Sequence, residues 1–236
     1  DALLDDLRPI CDQSLDIETP LVPLAENSHL LELFHGPTAA FKDYGARFLA
    51  NTLGRLRGTG AGETPLTILV ATSGDTGSAV AAAFHRMPGF RVVILYPDGR
   101  VSKRQAHQLG CFGDNVLALR MSSGFDQCQA LAKQAFSDSE LRAKVPLSSA
   151  NSISLGRLLP QATYYAFASH LHHRATGRRL SFIVPTGNLK GIDTKKIKNA
   201  DKITSLFTKG EVAGKKVGDQ GTAPKKVMYL PKADAK

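Results

Sequence analysis

The chain has 236 residues, of which 42% are apolar and 22% are charged. This ordinary globular composition excludes a wholly disordered, collagen-like or mucin-like chain. No apolar stretch approaches the ~20 residues that a membrane helix needs, and Asp1, Asp5 and Asp6 stand where a signal peptide would carry positive charge. We therefore expect a cytoplasmic protein that neither enters a membrane nor is secreted.

The three cysteines, Cys11, Cys111 and Cys128, are an odd number without paired spacing. That pattern argues against a disulfide framework and against a zinc ligand set, and it favours idle thiols in a reducing compartment. The adjacent His172 and His173 do not share a helix face, so they make a poor metal site. The sequence therefore predicts no metal.

The net charge of +9 lies almost wholly at the end of the chain. Residues 190–236 hold 12 lysines and no arginine against 5 acids, whereas residues 1–189 hold 14 arginines and 4 lysines against 16 acids. Because the two cations partly replace each other on solvated surfaces, so abrupt a change indicates material of different origin. The lysines of the tail could bind polyanions, but its few aromatic residues favour a solvated or disordered segment, and we expect no nucleic-acid partner.

From residue 66 on, apolar runs of strand length alternate with helical patterns. The predicted strands are Leu66–Val70, Arg91–Tyr96, Asn115–Leu119 and Arg179–Pro185; the predicted helices are Ser78–His85, Ser102–Leu109, Gly124–Phe136 and a long amphipathic helix, Leu155–His172. Helices of this length between strands imply parallel βαβ units. The sequence thus predicts an α/β fold of open, mostly parallel sheets with flanking helices.

Two glycine-containing loops, Ser73–Gly77 and Thr186–Asn188, directly follow predicted strands. Open α/β sheets bind ligands at this end of their strands, and glycine lets backbone N–H groups approach an anion. An anion site and a plain tight turn both fit these residues. The first loop has neither the Gly-Lys-Ser/Thr ending of a nucleotide phosphate loop nor the G-x-G-x-x-G dinucleotide pattern.

Lys42 stands at the start of a predicted helix that continues through Tyr44 and Phe48. The helix dipole disfavours a solvated cation there, so an amine placed between Phe41 and Tyr44 could have a chemical role. A desolvated ammonium loses its proton readily, as a Schiff-base lysine or a general base requires. An ordinary surface lysine is the alternative.

Four blocks of the sequence go beyond such spacing arguments: His35–Asp43 (HGPTAAFKD), Thr72–Gly77 (TSGDTG), Asn151–Arg157 (NSISLGR) and Val184–Asn188 (VPTGN). In this order they resemble threonine synthase, and the resemblance covers about residues 31–189. It implies an enzyme of pyridoxal-phosphate fold type II, the tryptophan-synthase-β-like fold, in truncated form. The implied activity is that of a carbon–oxygen lyase acting on phosphates, which converts O-phospho-L-homoserine and water to L-threonine and phosphate.

The resemblance also implies a role for each matching residue. Lys42 would bind the aldehyde of pyridoxal 5'-phosphate and later move protons at Cα and Cβ of the substrate. Asp75 would lie against the cofactor ring, and His35 would neighbour the site without a catalytic role. The cofactor phosphate would be lined by Thr186, Gly187, Asn188 and Leu189, and the substrate phosphate by Ser73, Thr76, Asn151, Ser152 and Arg157.

The resemblance further divides the chain into an N-terminal segment with the lysine-bearing helix (1–62), a small α/β domain (63–150), the start of a large domain (151–189) and an unrecognised tail (190–236). Lys190 replaces a glycine of the family's phosphate loop, where a side chain costs on the order of 1 kcal/mol or blocks the site. Threonine synthases are much longer, so we expect the partner of the pyridine nitrogen to be missing.

Two alternatives to a working threonine synthase stay open. One is a non-catalytic truncated or chimeric fragment whose basic tail governs what it contacts. The other is an eliminase that uses the same cofactor, similar to a threonine or serine dehydratase. If the chain is an enzyme, either a threonine synthase or such an eliminase, its expected partner is a small-molecule substrate. The chain is expected to be a monomer or a homodimer.

Overall fold

The computed structural model describes residues 4–57, 64–151 and 154–186, together with the backbone of 211–212, 215–216 and 226–229. The chain forms two compact units, Asp1–Ala168 and Ser169–Lys236. In the described residues no helix is both long and apolar enough to cross a membrane. The predicted α/β class is confirmed.

The first unit contains strands and helices that alternate strictly from residue 42 to residue 137. Its strands are β1 (Leu21–Ala25), β2 (Ser28–Leu31), β3 (Leu66–Ala71), β4 (Phe90–Pro97), β5 (Val116–Met121) and β6 (Leu147–Ser149). Its helices are α1 (Leu4–Ser14), α2 (Lys42–Arg57), α3 (Asp75–Phe84), α4 (Lys103–Gly110), α5 (Phe125–Ser137), α6 (Ser139–Lys144) and α7 (Leu155–Leu158), and α8 (Gln161–Thr176) begins in it. β1 and β2 pair as an antiparallel hairpin.

Four strands form a parallel sheet in the order β5-β4-β3-β6. In β3, Ile68 is paired with Val92 of β4 on one side and with Ser148 of β6 on the other. Every residue of β3 is buried, as expected for a central strand of a parallel sheet that is covered on both faces. The predicted parallel βαβ units are therefore confirmed.

Helices cover both faces of the β3 strand. Ala46 of α2 and Val80 of α3 pack in the core cluster that contains Ile68. Cys128 of α5 packs in a second cluster beside Leu69. Because alternate residues of a strand point to opposite faces, the two clusters together bury β3 along its length. Asp75 follows shortly after this buried strand. The position of β3 therefore fixes where the loop before Asp75 leaves the core.

The predicted helix Leu155–His172 is wrong, because the chain forms two helices there. α7 ends at Leu158 and α8 begins at Gln161. Pro160, between them, has no N–H to donate, and its ring crowds the preceding turn. The Pro160 carbonyl accepts a hydrogen bond from the Thr163 N–H and so opens the next helix. Arg157 consequently lies in a short helix rather than at the start of a long one.

The second unit contains short strands. β7 (Ile183–Thr186) begins later than the predicted strand Arg179–Pro185, and it pairs antiparallel with β10 (Lys226–Tyr229). β8 (Glu211–Val212) pairs with β9 (Lys215–Lys216) in the same way. The other residues from 187 onward lie outside the described part of the chain. The solvated or disordered tail and the four segment boundaries therefore stay predictions.

Candidate active site

A tight turn precedes Lys42. The backbone N–H and the hydroxyl of Thr38 donate hydrogen bonds to Asp43 Oδ2 (2.9 Å) and Oδ1 (2.6 Å), and the Asp43 side chain is buried. A Cβ at position 36 would lie 2.5 Å from Asp43 Oδ2, so the turn requires Gly36. The Asp43 carboxylate thus fixes where α2 begins and how its first residue, Lys42, is held.

The Lys42 amine is largely shielded from water. Its side chain is 20% exposed, and Nζ lies 3.5 Å from Asp75 Oδ2 and 4.2 Å from the centroid of the Phe41 ring. Burial lowers the pKa of the amine, and the Arg157 charge lowers it further, whereas the Asp75 and Asp43 carboxylates raise it. Because the net direction is downward, Lys42 holds a larger neutral, nucleophilic fraction than a solvated lysine.

The loop after β3 is organised by one buried hydroxyl. Thr72 Oγ1 accepts hydrogen bonds from the Gly74 and Gly77 N–H groups and donates one to the Gly74 carbonyl, each at 3.0 Å. A Cβ at Gly77 would lie 2.6 Å from side-chain atoms of Thr72 and Leu109, so the close packing requires a glycine there. The hydroxyl therefore sets the loop that turns from β3 into α3.

Asp75, the first residue of α3, faces two partners. Its Oδ2 lies near Lys42 Nζ, and its Oδ1 accepts a 2.8 Å hydrogen bond from the Gln105 side-chain amide of α4. Ser73, on the same loop, is exposed and Thr76 is half-buried. The loop thus presents a carboxylate and two hydroxyl side chains beside the lysine helix.

Arg157 carries a buried charge without a partner among the described residues. It is 4% exposed, and its Nε and Nη1 atoms have no hydrogen-bond acceptor there. Burial lowers the pKa of the guanidinium, which nevertheless stays charged at neutral pH. The Asn151 Oδ1 atom is also buried and has no partner in the described ranges, while its Nδ2 donates to the Ala71 carbonyl at 3.4 Å. Unsatisfied guanidinium N–H groups beside an amine fit an anionic group such as a phosphate.

Close packing of α2 on α7 brings the charge of Arg157 to the lysine helix. A Cβ at Gly45 would collide with the Arg157 carbonyl oxygen and would lie 3.0 Å from the Arg157 Cγ atom. Gly45 is three residues after Lys42 and lies on the same helix. A glycine at position 45 therefore lets the buried arginine sit close enough to act on the Lys42 amine.

An open cleft of about 1040 Å³ lies elsewhere, at the carboxyl ends of β4 and β5. Its lining includes Asp98, Arg100 and Gln127 but not Lys42. Arg100 and Gln127 are exposed, and no lining residue is among the buried unpaired polar groups of the described chain. Among the described residues, unsatisfied buried nitrogen donors lie at Arg157 and at Gln161, both packed beside Gly45 of the lysine helix, so we place the candidate site at the Lys42 cluster rather than in this cleft.

The first unit brings together Lys42, Asp75 and Arg157, which are distant in sequence. Asn151 lies at the end of β3 through its bond to Ala71, and Ser73 and Thr76 share the Asp75 loop. Thr186 ends β7 in the second unit, and its side chain is not described. Ser152, Gly187, Asn188 and Leu189 lie outside the described residues. The individual roles of all these residues stay predictions.

Two groups near the site were not predicted as parts of it. Gln105 contacts Asp75, and the Thr38–Asp43 hydrogen bonds close the turn before Lys42. His35 Nε2 lies 2.7 Å from Glu32 Oε2, so its described polar partner is a glutamate rather than Lys42. The pattern Ser102-x-x-Gln105 signals a helix cap, but nothing in that pattern indicates the contact with Asp75.

Residues 14–191 match the model of a family described as pyridoxal-phosphate dependent enzyme. The chain belongs to this family. Pyridoxal 5'-phosphate is the cofactor of the family, as the sequence blocks predicted.

Threonine synthases are among the similar proteins. That of Haemophilus influenzae is 48% identical over 169 residues, which make up 72% of this chain and 39% of that protein. The crystal structure of Escherichia coli threonine synthase has a TM-score of 0.64 at 45% identity and covers 68% of this chain and 37% of its own. The pyridoxal-phosphate-bound threonine synthase of Brucella melitensis has a TM-score of 0.64 at 40% identity, with coverages of 77% and 39%.

The chain therefore spans about two fifths of the length of the relatives it matches. The predicted resemblance to threonine synthase is confirmed, and so is the predicted fold type in partial form.

Proposed function

We propose that this chain carries the cofactor-lysine part of a threonine synthase. Its reaction would convert O-phospho-L-homoserine and water to L-threonine and phosphate, as a carbon–oxygen lyase acting on phosphates. The observation that supports this most is the shielded Lys42 amine, which lies 3.5 Å from the Asp75 carboxylate and whose pKa is lowered by the charge of Arg157, a guanidinium whose Nε and Nη1 atoms have no acceptor among the described residues.

The described residues fit pyridoxal phosphate. The cofactor needs a primary amine with a neutral fraction, and burial and Arg157 provide one at Lys42 by lowering its pKa. When bound, it supplies an electron sink for the negative charge that develops at the substrate Cα. Asp75 would face its ring. By resemblance to the family, Thr186, Gly187, Asn188 and Leu189 would hold its phosphate.

Lys42 would act as the base that moves protons at the substrate Cα and Cβ: it would take one from each carbon, Cγ would gain a proton when the phosphate has left, and Cα would regain its own in the product. A base suits this task when its pKa lies near the working pH, and the lowered pKa of Lys42 moves in that direction. Once protonated, the amine would be an ammonium on a side chain that is only 20% exposed. The Asp75 carboxylate, 3.5 Å away, would stabilise that charge.

Arg157 would bind the phosphate of the substrate. Its unpaired Nε and Nη1 groups would donate charge-assisted hydrogen bonds to the phosphate oxygens, which removes the penalty of an unpaired buried cation. As the phosphate departs, the same guanidinium would neutralise its growing charge. The residues proposed to complete this phosphate site are Ser73, Thr76, Asn151 and Ser152.

Reductive trapping tests the proposal. The protein is incubated with pyridoxal phosphate, reduced with borohydride and digested, and the adduct is located by peptide mass. We expect the label on Lys42 and its loss in Lys42→Ala, whereas Lys103→Ala, which removes an exposed helix-start lysine, should leave it intact. Equal labelling of Lys42 and the exposed lysines would contradict the proposal.

A non-catalytic fragment, one of the alternatives that the sequence left open, is the second candidate. Release of inorganic phosphate from O-phospho-L-homoserine separates the two, because a fragment that binds cofactor without turnover would be trapped at Lys42 and release none. Release of ammonia from threonine, with no release of phosphate from O-phospho-L-homoserine, would instead identify a dehydratase. A cytoplasmic location, the absence of a nucleic-acid partner and a monomeric or homodimeric state stay predictions.

A further inference from the structure

The first turn of α4 holds one glutamine side chain in a fixed orientation. The Gln105 backbone N–H donates to Ser102 Oγ at 3.2 Å, and the Ser102 backbone N–H donates to Gln105 Oε1 at 3.1 Å. This reciprocal pair is a capping box. Because it engages Oε1, the Nε2 end of the same amide is left to point away from its own helix.

That Nε2 group reaches Asp75. The distance from Gln105 Nε2 to Asp75 Oδ1 is 2.8 Å, and the other oxygen of the carboxylate, Oδ2, lies 3.5 Å from Lys42 Nζ. The Asp75 side chain is 48% exposed, so water competes for it and would favour other rotamers. The amide hydrogen bond therefore selects the rotamer that faces the lysine.

The loop before Asp75 is shaped to accept this amide. At Gly74, φ is +149°, and a Cβ there would lie 2.5 Å from Gln105 Nε2 and 2.8 Å from its Cδ. A side chain at position 74 would therefore push the amide away from Asp75. Gly74, directly before α3, and Gln105, in the first turn of α4, fit each other closely, which a cap of α4 alone would not require.

We propose that Gln105 is a positioning residue for the Lys42 amine, which it holds in place through the Asp75 carboxylate. The inference rests on the proposed function, because the position of the amine matters to catalysis only if Lys42 reacts. The charged groups that act on Lys42 are Asp75 of α3, Arg157 of α7 and Asp43 of its own helix. Of these three groups, Asp75 has the half-exposed side chain, and the hydrogen bond from Gln105 determines the orientation of its carboxylate.

Loss of the Gln105 amide is expected to let Asp75 turn toward solvent, so that the Lys42 amine loses its proton at lower pH. The measurement is trace acetylation of the full chain with acetic anhydride across a pH series, read at Lys42 by peptide mass without any pyridoxal phosphate. At neutral pH the Lys42 rate should rise about tenfold in Asp75→Asn, since an opposite charge is removed, and about threefold in Gln105→Met.

A matched control comes from α5. Gln127 has the same place in its helix as Gln105, and its Oε1 accepts from the Gly124 N–H at 2.7 Å. Gln127→Met removes this cap, and Gln127 has no described contact with Asp75. The acetylation rate of Lys42 across the pH series should therefore be the same in Gln127→Met as in the unaltered chain. The double variant Gln105→Met with Asp75→Asn should react no faster than Asp75→Asn, because Gln105 acts through the carboxylate.

The inference would be overturned if Lys42 were acetylated at the same rates across the pH series in Gln105→Met and in the unaltered chain. It would also be overturned if Gln105→Met raised the rate of Lys42 as much in the Asp75→Asn variant as in the unaltered chain. If Gln105→Met does not fold by circular dichroism, NMR on the Asp75→Asn variant decides. Its Gln105 side-chain amide proton should move upfield while that of Gln127 stays, and an unmoved Gln105 signal would refute the contact. Because no cofactor is used, a missing pyridoxal-phosphate adduct at Lys42 refutes only the proposed function.

Discussion

Lys42 opens α2 and Lys103 opens α4, so two helices of the first unit begin with a lysine. Both stand at the positive end of a helix, where a cation is disfavoured. Lys103 is exposed, so water screens its charge. The Lys42 side chain is 20% exposed and faces Asp75.

The two starts differ in what packs on them. The N-terminus of α4 is capped by the capping box of Ser102 and Gln105, and Lys103 remains exposed to solvent. At α2 the Thr38–Asp43 bonds close the turn, and α7 packs directly on the helix at Gly45. A helix-start lysine therefore becomes a candidate nucleophile through the groups that shield it rather than through its place in the helix.

The largest expected difference between the two helices concerns their glycines. Gly45→Ala should lower the free energy of unfolding by about 2 kcal/mol, because the new Cβ meets the Arg157 backbone. Gly110→Ala, at the end of α4, has nothing within 4 Å of its Cβ and should change it by less than about 0.5 kcal/mol. Urea denaturation measures both variants. Equal stabilities would contradict the close packing of α2 on α7.

A smaller effect is expected from the arginines. Arg157→Met should raise the free energy of unfolding by about 1 kcal/mol in phosphate-free buffer, because it removes a buried charge that has no partner in the described part of the chain. Inorganic phosphate should raise the melting temperature of the unaltered chain and of Arg104→Met, whose arginine is exposed on α4, but not that of Arg157→Met. A phosphate response that survives in Arg157→Met would place the anion elsewhere.

The smallest expected effect is a pH dependence. The folded Lys42 has a pKa below its usual 10.5, so between these two values the unfolded chain holds the extra proton and stability rises with pH. Lys42→Met should remove that rise and change the free energy of unfolding at neutral pH by less than about 1 kcal/mol, while Lys103→Met keeps it. Urea titrations across the alkaline range measure this. The same rise in Lys42→Met would show that another group causes it.

Much of the sheet could be predicted because its strands are unbroken apolar runs between turn residues. β3, β4 and β5 all lie where such runs occur in the sequence. α1 contains Pro9, which argues against a helix, and β1 and β2 are short and half-exposed, so these two strands carry no clear apolar alternation. The break between α7 and α8 has a visible cause in Pro160, which the apolar pattern of residues 155–172 obscured.

The candidate site could be predicted in part. Lys42, Asp75 and Arg157 were found through the resemblance of their sequence blocks, and the structure brings them into one cluster. The burial of Lys42 depends on the packing of α7, and the role of Gln105 depends on a contact across 30 residues of sequence. Such contacts arise from tertiary packing, which local propensity and motif spacing do not encode.

Whether Lys42 is the cofactor lysine is tested most directly by comparing it with Lys103 in one sample of the unaltered chain. Borohydride-trapped adduct at each lysine is measured by peptide mass over a series of pyridoxal phosphate concentrations at neutral pH. We predict that the adduct at Lys42 saturates at low concentration while that at Lys103 grows in proportion to concentration. Parallel, unsaturated curves at both lysines would contradict the claim that Lys42 is the cofactor lysine.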